Sequence, residues 1–251
     1  MRSLVLLSGG LDSTVSFRWA YLETELVLGL TFDYGQRSAR REIEAARRIC
    51  DRHGVEHRVV ELGWLAKITR TALVQKGEEL PQLLPSQLDD RDFTERSAKA
   101  VWVPNRNGVF INVAASFAES QGCDLIIVGF NAEEMRTFPD NTPQFVEAIN
   151  RSLVFSTLTG VRVISPTQDL TKVEIVRMGR RIEAPLEMVW SCYEGGEEHC
   201  WRCESCLRLK RALKAADSWH WFLERRRSTL GAVDDVDPRR HKRCPRPEPH
   251  R

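Results

Sequence analysis

The sequence predicts an α/β protein in which a parallel sheet carries helices on both faces, with a small helical appendage at its C-terminal end. Three observations lead there. Short apolar runs alternate with stretches of helical apolar spacing along most of the chain. The runs are continuous rather than alternately polar, as in strands buried on both faces. The first run ends in a glycine-containing turn that opens a helix, the arrangement of a Rossmann-like sheet. The predicted strands cover residues 3–7, 26–32, 55–61, 124–129 and 161–164, and the predicted helices 13–23, 40–53, 107–121, 141–155 and 171–182. In such sheets ligands sit at the carboxyl ends of the strands.

Residues 70–103 break the pattern with a polar stretch that includes Pro81 and Pro85, too long for an ordinary connection and read as a lid or mobile loop. Residues 1–184 are expected to form the nucleotide-binding and catalytic domain and 185–222 a metal-binding segment. Residues 229–251, rich in Arg, Pro and His, are expected to be a disordered basic tail.

The 251 residues are 42% hydrophobic, enough for one sizeable core. Lys and Arg number 37 against 35 Asp and Glu, a net charge of +2. Residues 237–251 hold six basic and two acidic side chains, or +4, which leaves −2 on the remainder. A near-neutral body lacks the clustered cations that meet nucleic-acid phosphates, so small substrates are favoured and no nucleic-acid partner is expected. No run approaches the roughly 18 apolar residues needed to span a membrane, and residues 1–7 lead straight into a strand without a signal-peptide pattern. A cytoplasmic protein without a membrane partner is expected.

The strand end passes into Ser8-Gly9-Gly10-Leu11-Asp12-Ser13, with Thr14 continuing the helix. Two glycines permit a sharp turn close to a ligand, and free amides at a helix start attract anions. The plainer alternative is a strand-to-helix turn capped by Asp12 or Ser13. A P-loop requires Gly-Lys-Ser/Thr and the dinucleotide fingerprint G-x-G-x-x-G, and neither is present. The loop resembles the PP-loop of ATP pyrophosphatases (the adenine nucleotide alpha hydrolase-like fold), which adenylate a carbonyl or carboxylate oxygen and release pyrophosphate. The resemblance implies ATP and Mg²⁺ as cofactors. It places Ser8, Gly9, Gly10, Asp12 and Ser13 on the β- and γ-phosphates, with Leu7, Leu11 and Thr14 completing the stretch.

Of seven cysteines, Cys192, Cys200, Cys203 and Cys206 fall at metal-ligand spacing. Four thiolates fit one tetrahedral structural Zn²⁺ per chain, a closed site without room for water; an iron–sulfur cluster would also suit them. Arg202, Arg208, Lys210 and Arg211 are placed to offset the resulting −2 charge. His199 is read as a surface histidine, with substitution as a metal ligand the alternative, and Cys50 and Cys123 as small apolar filler.

The PP-loop together with the C-terminal cysteines resembles the 7-cyano-7-deazaguanine synthase family of queuosine biosynthesis over about residues 1–216. Further matching stretches are Thr31-Phe32-Asp33-Tyr34-Gly35-Gln36-Arg37, Val103-Pro104-Asn105-Arg106-Asn107, Phe138-Pro139-Asp140, Asp169-Leu170-Thr171-Lys172-Val173-Glu174-Ile175 and Trp190-Ser191-Cys192-Tyr193-Glu194-Gly195-Gly196. The resemblance implies a carbon–nitrogen ligase acting on 7-carboxy-7-deazaguanine and ammonia to give the nitrile, and a homodimer. Adenylation needs cations near the α-phosphate, for which Lys172 is the first candidate and Arg106 the second, with Asp12 as third catalytic residue. Gln36 and Arg37 fall where an adenine or ribose contact belongs, or where a helix starts. Asn131, Glu133 and Glu134 follow the fourth strand, where a carboxylate would meet the guanine-like edge of the base. Asp140 is a further acidic candidate, or a helix cap. The chain departs from the family's Gly-Tyr-Pro-Asp-Cys-Arg at Thr137-Phe138-Pro139-Asp140-Asn141-Thr142, losing an arginine. The alternatives are a PP-loop enzyme acting on tRNA and a relative that attaches a deazaguanine to a macromolecule.

Overall fold

A computed structural model describes residues 1–75 and 77–231, the side chains of 230 and 231 excepted. Five strands, β1 (Arg2–Leu6), β2 (Glu25–Asp33), β3 (Glu56–Glu61), β4 (Leu125–Ile127) and β5 (Arg162–Ile164), form one parallel sheet in the order β3-β2-β1-β4-β5. Val5 is opposite Gly29 on one side and Ile127 on the other, and Ile127 is opposite Ile164. The order reverses between β1 and β4, so a crevice opens beyond their carboxyl ends.

The nine helices among the described residues are α1 (Leu11–Glu23), α2 (Ala39–His53), α3 (Gly63–Ile68), α4 (Arg91–Val101), α5 (Arg106–Ser120), α6 (Pro143–Ser156), α7 (Lys172–Arg181), α8 (Glu204–Ala215) and α9 (Trp219–Gly231). Side chains leave a strand alternately to its two faces. Leu4, Ile126 and Val163 therefore meet Ile111 and Ala115 of α5 and Leu153 of α6, whereas Val5, Leu125 and Ile127 meet Phe17 of α1 and Ile49 of α2. β3 differs from the expected continuous apolar run: it is a polar edge strand with Val59 exposed, because only β2 pairs with it. Cys50 and Cys123 are buried in these cores, as the filler reading expects.

The stretch read as a lid contains a structured element that its polarity hides. Asp90 caps α4 by accepting from the amides of Asp92 and Phe93. Leu73, Leu80, Val101 and Val103 join the main core. The appendage is helical, as the sequence predicts. Leu209 and Leu213 of α8 and Phe222 of α9 pack against Val15 of α1 and Ile175 and Val176 of α7. α9 runs on through residues 229–231, which the sequence assigns to a disordered tail; the remainder of that tail, including Cys244, lies outside the described residues. No described helix is long and apolar enough to cross a membrane.

A candidate nucleotide site and metal centre

The phosphate loop leaves β1 with Gly9 at φ +74°, where a Cβ would lie 2.7 Å from that of Ala45. Only glycine permits both that turn and the close approach of α2. Gly129, at the end of β4, is equally confined: its Cβ would sit 2.7 Å from the amide nitrogen of Ser13. Two glycines, one after each strand flanking the switch point, thus bring β4 against the start of α1. The Ser8 and Ser13 hydroxyls are 3.2 Å apart across the loop. Neither Asp12 nor Ser13 caps α1, so the plainer turn reading is not realised and its first-turn amides have no side-chain acceptor.

Lys172 opens α7 over this loop. Thr171 caps the helix and Glu174 returns the bond to the Thr171 amide, a reciprocal cap that fixes where Lys172 begins. The lysine is buried, with its Nζ 2.5 Å from Asp12 Oδ2 and 2.6 Å from Glu134 Oε1. Burial alone would neutralise the ammonium, but the two carboxylates outweigh it and hold its pKa above the ordinary lysine value. Burial pushes Asp12 up to about 6 despite the lysine, whereas Glu134, more exposed, is held below the usual carboxyl range because Lys172 outweighs its burial. One ammonium and two carboxylates leave a net charge of −1, and Asp12 Oδ1 is buried without a partner.

The cavity bounded by this cluster has a volume of about 280 Å³. Leu7, Ser8, Gly10, Leu11, Asp12 and Ser13 form one wall. On another, Asn105 adopts a left-handed conformation (φ 51°) that turns the chain into α5, so that Arg106 begins the helix. Its guanidinium makes one long contact, 3.5 Å to the Tyr34 hydroxyl; burial opposes its charge, and the nearby Asp140 carboxylate favours it. A buried guanidinium with most of its donors unused is an anion receptor.

The other expected residues divide. Glu134 lines the cavity, but Asn131, Glu133 and Asp140 do not. Asn131 is fully buried and its Oδ1 accepts from the amides of Glu133 and Glu134, which shapes the loop. Asp140 accepts from Asn107 through its carbonyl and from Asn141 through its carboxylate. At the departure from the family pattern, Asn141 is buried against the cavity and Thr142 caps α6 by accepting from the Phe145 amide. Gln36 donates to Glu42 and to the Phe32 carbonyl, and Arg37 donates to the carbonyls of Gln75 and Glu78; neither lines the cavity. Glu42, reached through Gln36 and Ser38, does line it, as do Tyr193, Glu204 and Arg208. Glu42, Tyr193 and Glu204 were missed because they lie on helices or beside the cysteines, where a charged or aromatic residue has an ordinary surface or core explanation, and Arg208 was assigned to the charge of the metal centre instead.

The Sγ atoms of Cys192, Cys200, Cys203 and Cys206 all lie within 4.8 Å of one another, with Cys200 and Cys206 at 3.9 Å. Metal–sulfur bonds of about 2.3 Å in a tetrahedron require sulfurs about 3.8 Å apart, so the donor set fits one ion. Backbone amides of Arg202 and Cys203 point at Cys200 Sγ (3.4 and 3.3 Å) and the Cys200 amide at Cys192 Sγ (3.4 Å). Charge compensation differs from the expectation. Arg208 and Arg211 pair with Glu204, Glu133 and Asp89, while Lys210 lies over the Trp219 ring. His199 is buried rather than superficial, accepts from the Ser191 amide and stacks on Trp201, so it supports the module without being a ligand.

A parallel sheet with an uncapped glycine loop at its switch point, facing a buried lysine and arginine, defines a nucleotide-dependent enzyme of the PP-loop class. The family model described as "Queuosine biosynthesis protein QueC" matches residues 2–217, and the chain belongs to that family. It is 54% identical over 216 residues to the 7-cyano-7-deazaguanine synthase of Pelotomaculum thermopropionicum, covering 86% of this chain and 98% of that one. Similar proteins of the same name occur in Methanosarcina mazei (49% over 217 residues, 85% and 94% covered) and Carboxydothermus hydrogenoformans (52% over 211 residues, 84% and 97% covered).

Proposed function

We propose that the chain converts 7-carboxy-7-deazaguanine and ammonia into 7-cyano-7-deazaguanine, using ATP twice at one site. The observation that carries this reading is the Lys172 ammonium held between Asp12 and Glu134 at the phosphate loop, in a family whose relatives carry that name. A carboxylate oxygen attacks the α-phosphorus of ATP, and pyrophosphate leaves. Ammonia then adds to the activated carbon, a proton is lost and AMP departs, giving the amide. The amide oxygen attacks the α-phosphorus of a second ATP, pyrophosphate leaves, and loss of two protons and AMP gives the nitrile.

In this reading the loop amides and Ser8 and Ser13 cradle the β- and γ-phosphates, and Lys172 faces the charge that develops at the α-phosphate. Mg²⁺ bound with the nucleotide would neutralise phosphate charge, and the unpartnered Asp12 Oδ1 beside a −1 cluster suits it. Arg106 meets the substrate carboxylate, which accounts for tolerance of Asn141-Thr142 where the family has an arginine. Glu134 is the carboxylate for the base edge. Zn²⁺ is the ion for the four thiolates, with a structural role, and the resemblance supports a cytoplasmic homodimer.

The test incubates the protein with ATP, Mg²⁺, ammonium and 7-carboxy-7-deazaguanine and follows the base by mass spectrometry. Amide followed by nitrile, with AMP released at each stage, is expected. Absence of AMP and of both products defeats the reading.

A further inference from the structure

Glu133 occupies a position that substrate binding does not explain. Its Oε1 accepts from the backbone amide of Lys172 at 2.8 Å, and its Oε2 accepts from Arg211 at 3.2 Å and Arg208 at 3.4 Å. Its side chain is 17% exposed and lies outside the cavity lining. One carboxylate therefore joins the start of α7, which presents Lys172, to α8, whose first turn contains Cys206 and whose N-cap is Cys203. The same end of α8 grips residues 72–103: Gln82 pairs with Cys203 through a β-bridge, and Ser97 donates to Glu204.

We propose that Glu133 is a positioning residue that couples ion retention at the four cysteines to the placement of Lys172, so that the metal centre and the nucleotide site stabilise one another. The proposal rests on ATP binding at the phosphate loop. Apolar packing of Ile175 and Val176 on Leu209 and Leu213 keeps α7 and α8 together, but such contacts are non-directional and do not fix the register of one amide. The Glu133 carboxylate does, because a charged acceptor shared by an amide and two guanidiniums has a narrow geometry. When the ion leaves, the Cys203–Cys206 turn loses its restraint, and both guanidinium arms move with it. The Lys172 amide then loses its partner, and Nζ its seat between Asp12 and Glu134. Coupling between two binding equilibria is reciprocal, so a nucleotide that fixes Lys172 must tighten the hold on the ion, and because the ion leaves through the opening of the Cys203–Cys206 turn, the gain is expected as slower release.

The test follows zinc release from the loaded full chain into a chelating dye, with and without saturating α,β-methylene ATP, whose binding is measured separately by calorimetry. In the wild type the nucleotide should slow release at least about fivefold. In Glu133→Ala the release rate should be the same with and without nucleotide, and kcat should fall about 10–100-fold, the usual effect of losing an outer-shell partner. Glu133→Gln, which keeps an acceptor for the Lys172 amide but weakens the arginine pairing, should retain partial protection and covers the case in which the alanine variant does not fold. A merely structural glutamate would speed release equally in both conditions. Nucleotide that binds without slowing release in the wild type overturns the coupling alone; failure of the nucleotide to bind overturns the ATP reading and the coupling with it.

Discussion

The phosphate loop and the cysteine module are both announced by short motifs, yet they are held by opposite means. Gly9 and Gly129 let two backbone segments close on each other at the centre of a five-stranded sheet, and the loop keeps its shape through that covalent and packed frame. The cysteine module lies off the sheet: Cys192, Cys203 and Cys206 are buried around one another in a small cluster with Ala45 and Trp190, against which Tyr193 and Trp201 pack. A motif on rigid backbone is preformed, whereas a cluster of thiolates requires its ion. The difference predicts how each region responds to damage.

The largest effect is expected from removing the metal. Structural Zn²⁺ contributes roughly 10–16 kcal/mol in small zinc-binding peptides, comparable with the roughly 5–15 kcal/mol stability of a whole domain. Exhaustive chelation, or Cys206→Ser, should therefore melt α8 and α9, lowering both the far-UV helical signal and Tm, while the sheet survives longer. Unchanged Tm after verified metal loss would remove the asymmetry between the two regions.

Lys172→Met comes next. It leaves Asp12 and Glu134 facing each other without a cation, and loss of one partner from a buried ion pair costs about 3–5 kcal/mol. Removing a charge aimed at the transition state lowers kcat by about 10²–10³-fold. Urea unfolding and steady-state rates separate the two effects. Gly9→Ala combines a left-handed alanine with a Cβ contact of 2.7 Å, for which about 2–4 kcal/mol of destabilisation is expected. Its rise in KM for ATP should exceed its fall in kcat, because the cradle rather than the lysine is displaced.

Titration of Asp12 gives a smaller, signed effect. Its pKa rises from 3.8 unfolded to about 6 folded, so the folded state binds the proton more tightly. The associated stabilisation is fully present below 3.8 and is lost as pH climbs through about 6. Against Asp12→Asn, which cannot titrate, the wild type should lose relative stability between pH 4 and 6 and hold a constant difference above that window. A flat difference across pH 4–6 would place the proton elsewhere in the cluster. The smallest change is Thr171→Ala, which removes the cap of α7 and should cost about 1 kcal/mol, with at most a slight drop in kcat while Glu133 still holds the Lys172 amide.

The sequence by itself determined the features that are local in the chain. Strand and helix periods, the Ser8–Ser13 loop and the cysteine spacing are set by neighbouring residues, and the five strands fall within a few residues of their expected places. Tertiary structure decided which side chains meet. Asp12, Glu134 and Lys172 lie far apart in the chain, and Glu133 and Glu134 are indistinguishable by position. Only the seating of α7 and α8 turns one toward the lysine ammonium and the other toward its amide and two arginines. Gln36 and Arg37 likewise read either as ligand contacts or as a helix start, and only the fold turns the Gln36 amide to Glu42 and the Arg37 guanidinium to the carbonyls of Gln75 and Glu78. A polar side chain's role depends on which partners satisfy its hydrogen bonds once it is buried, and long-range packing supplies those partners.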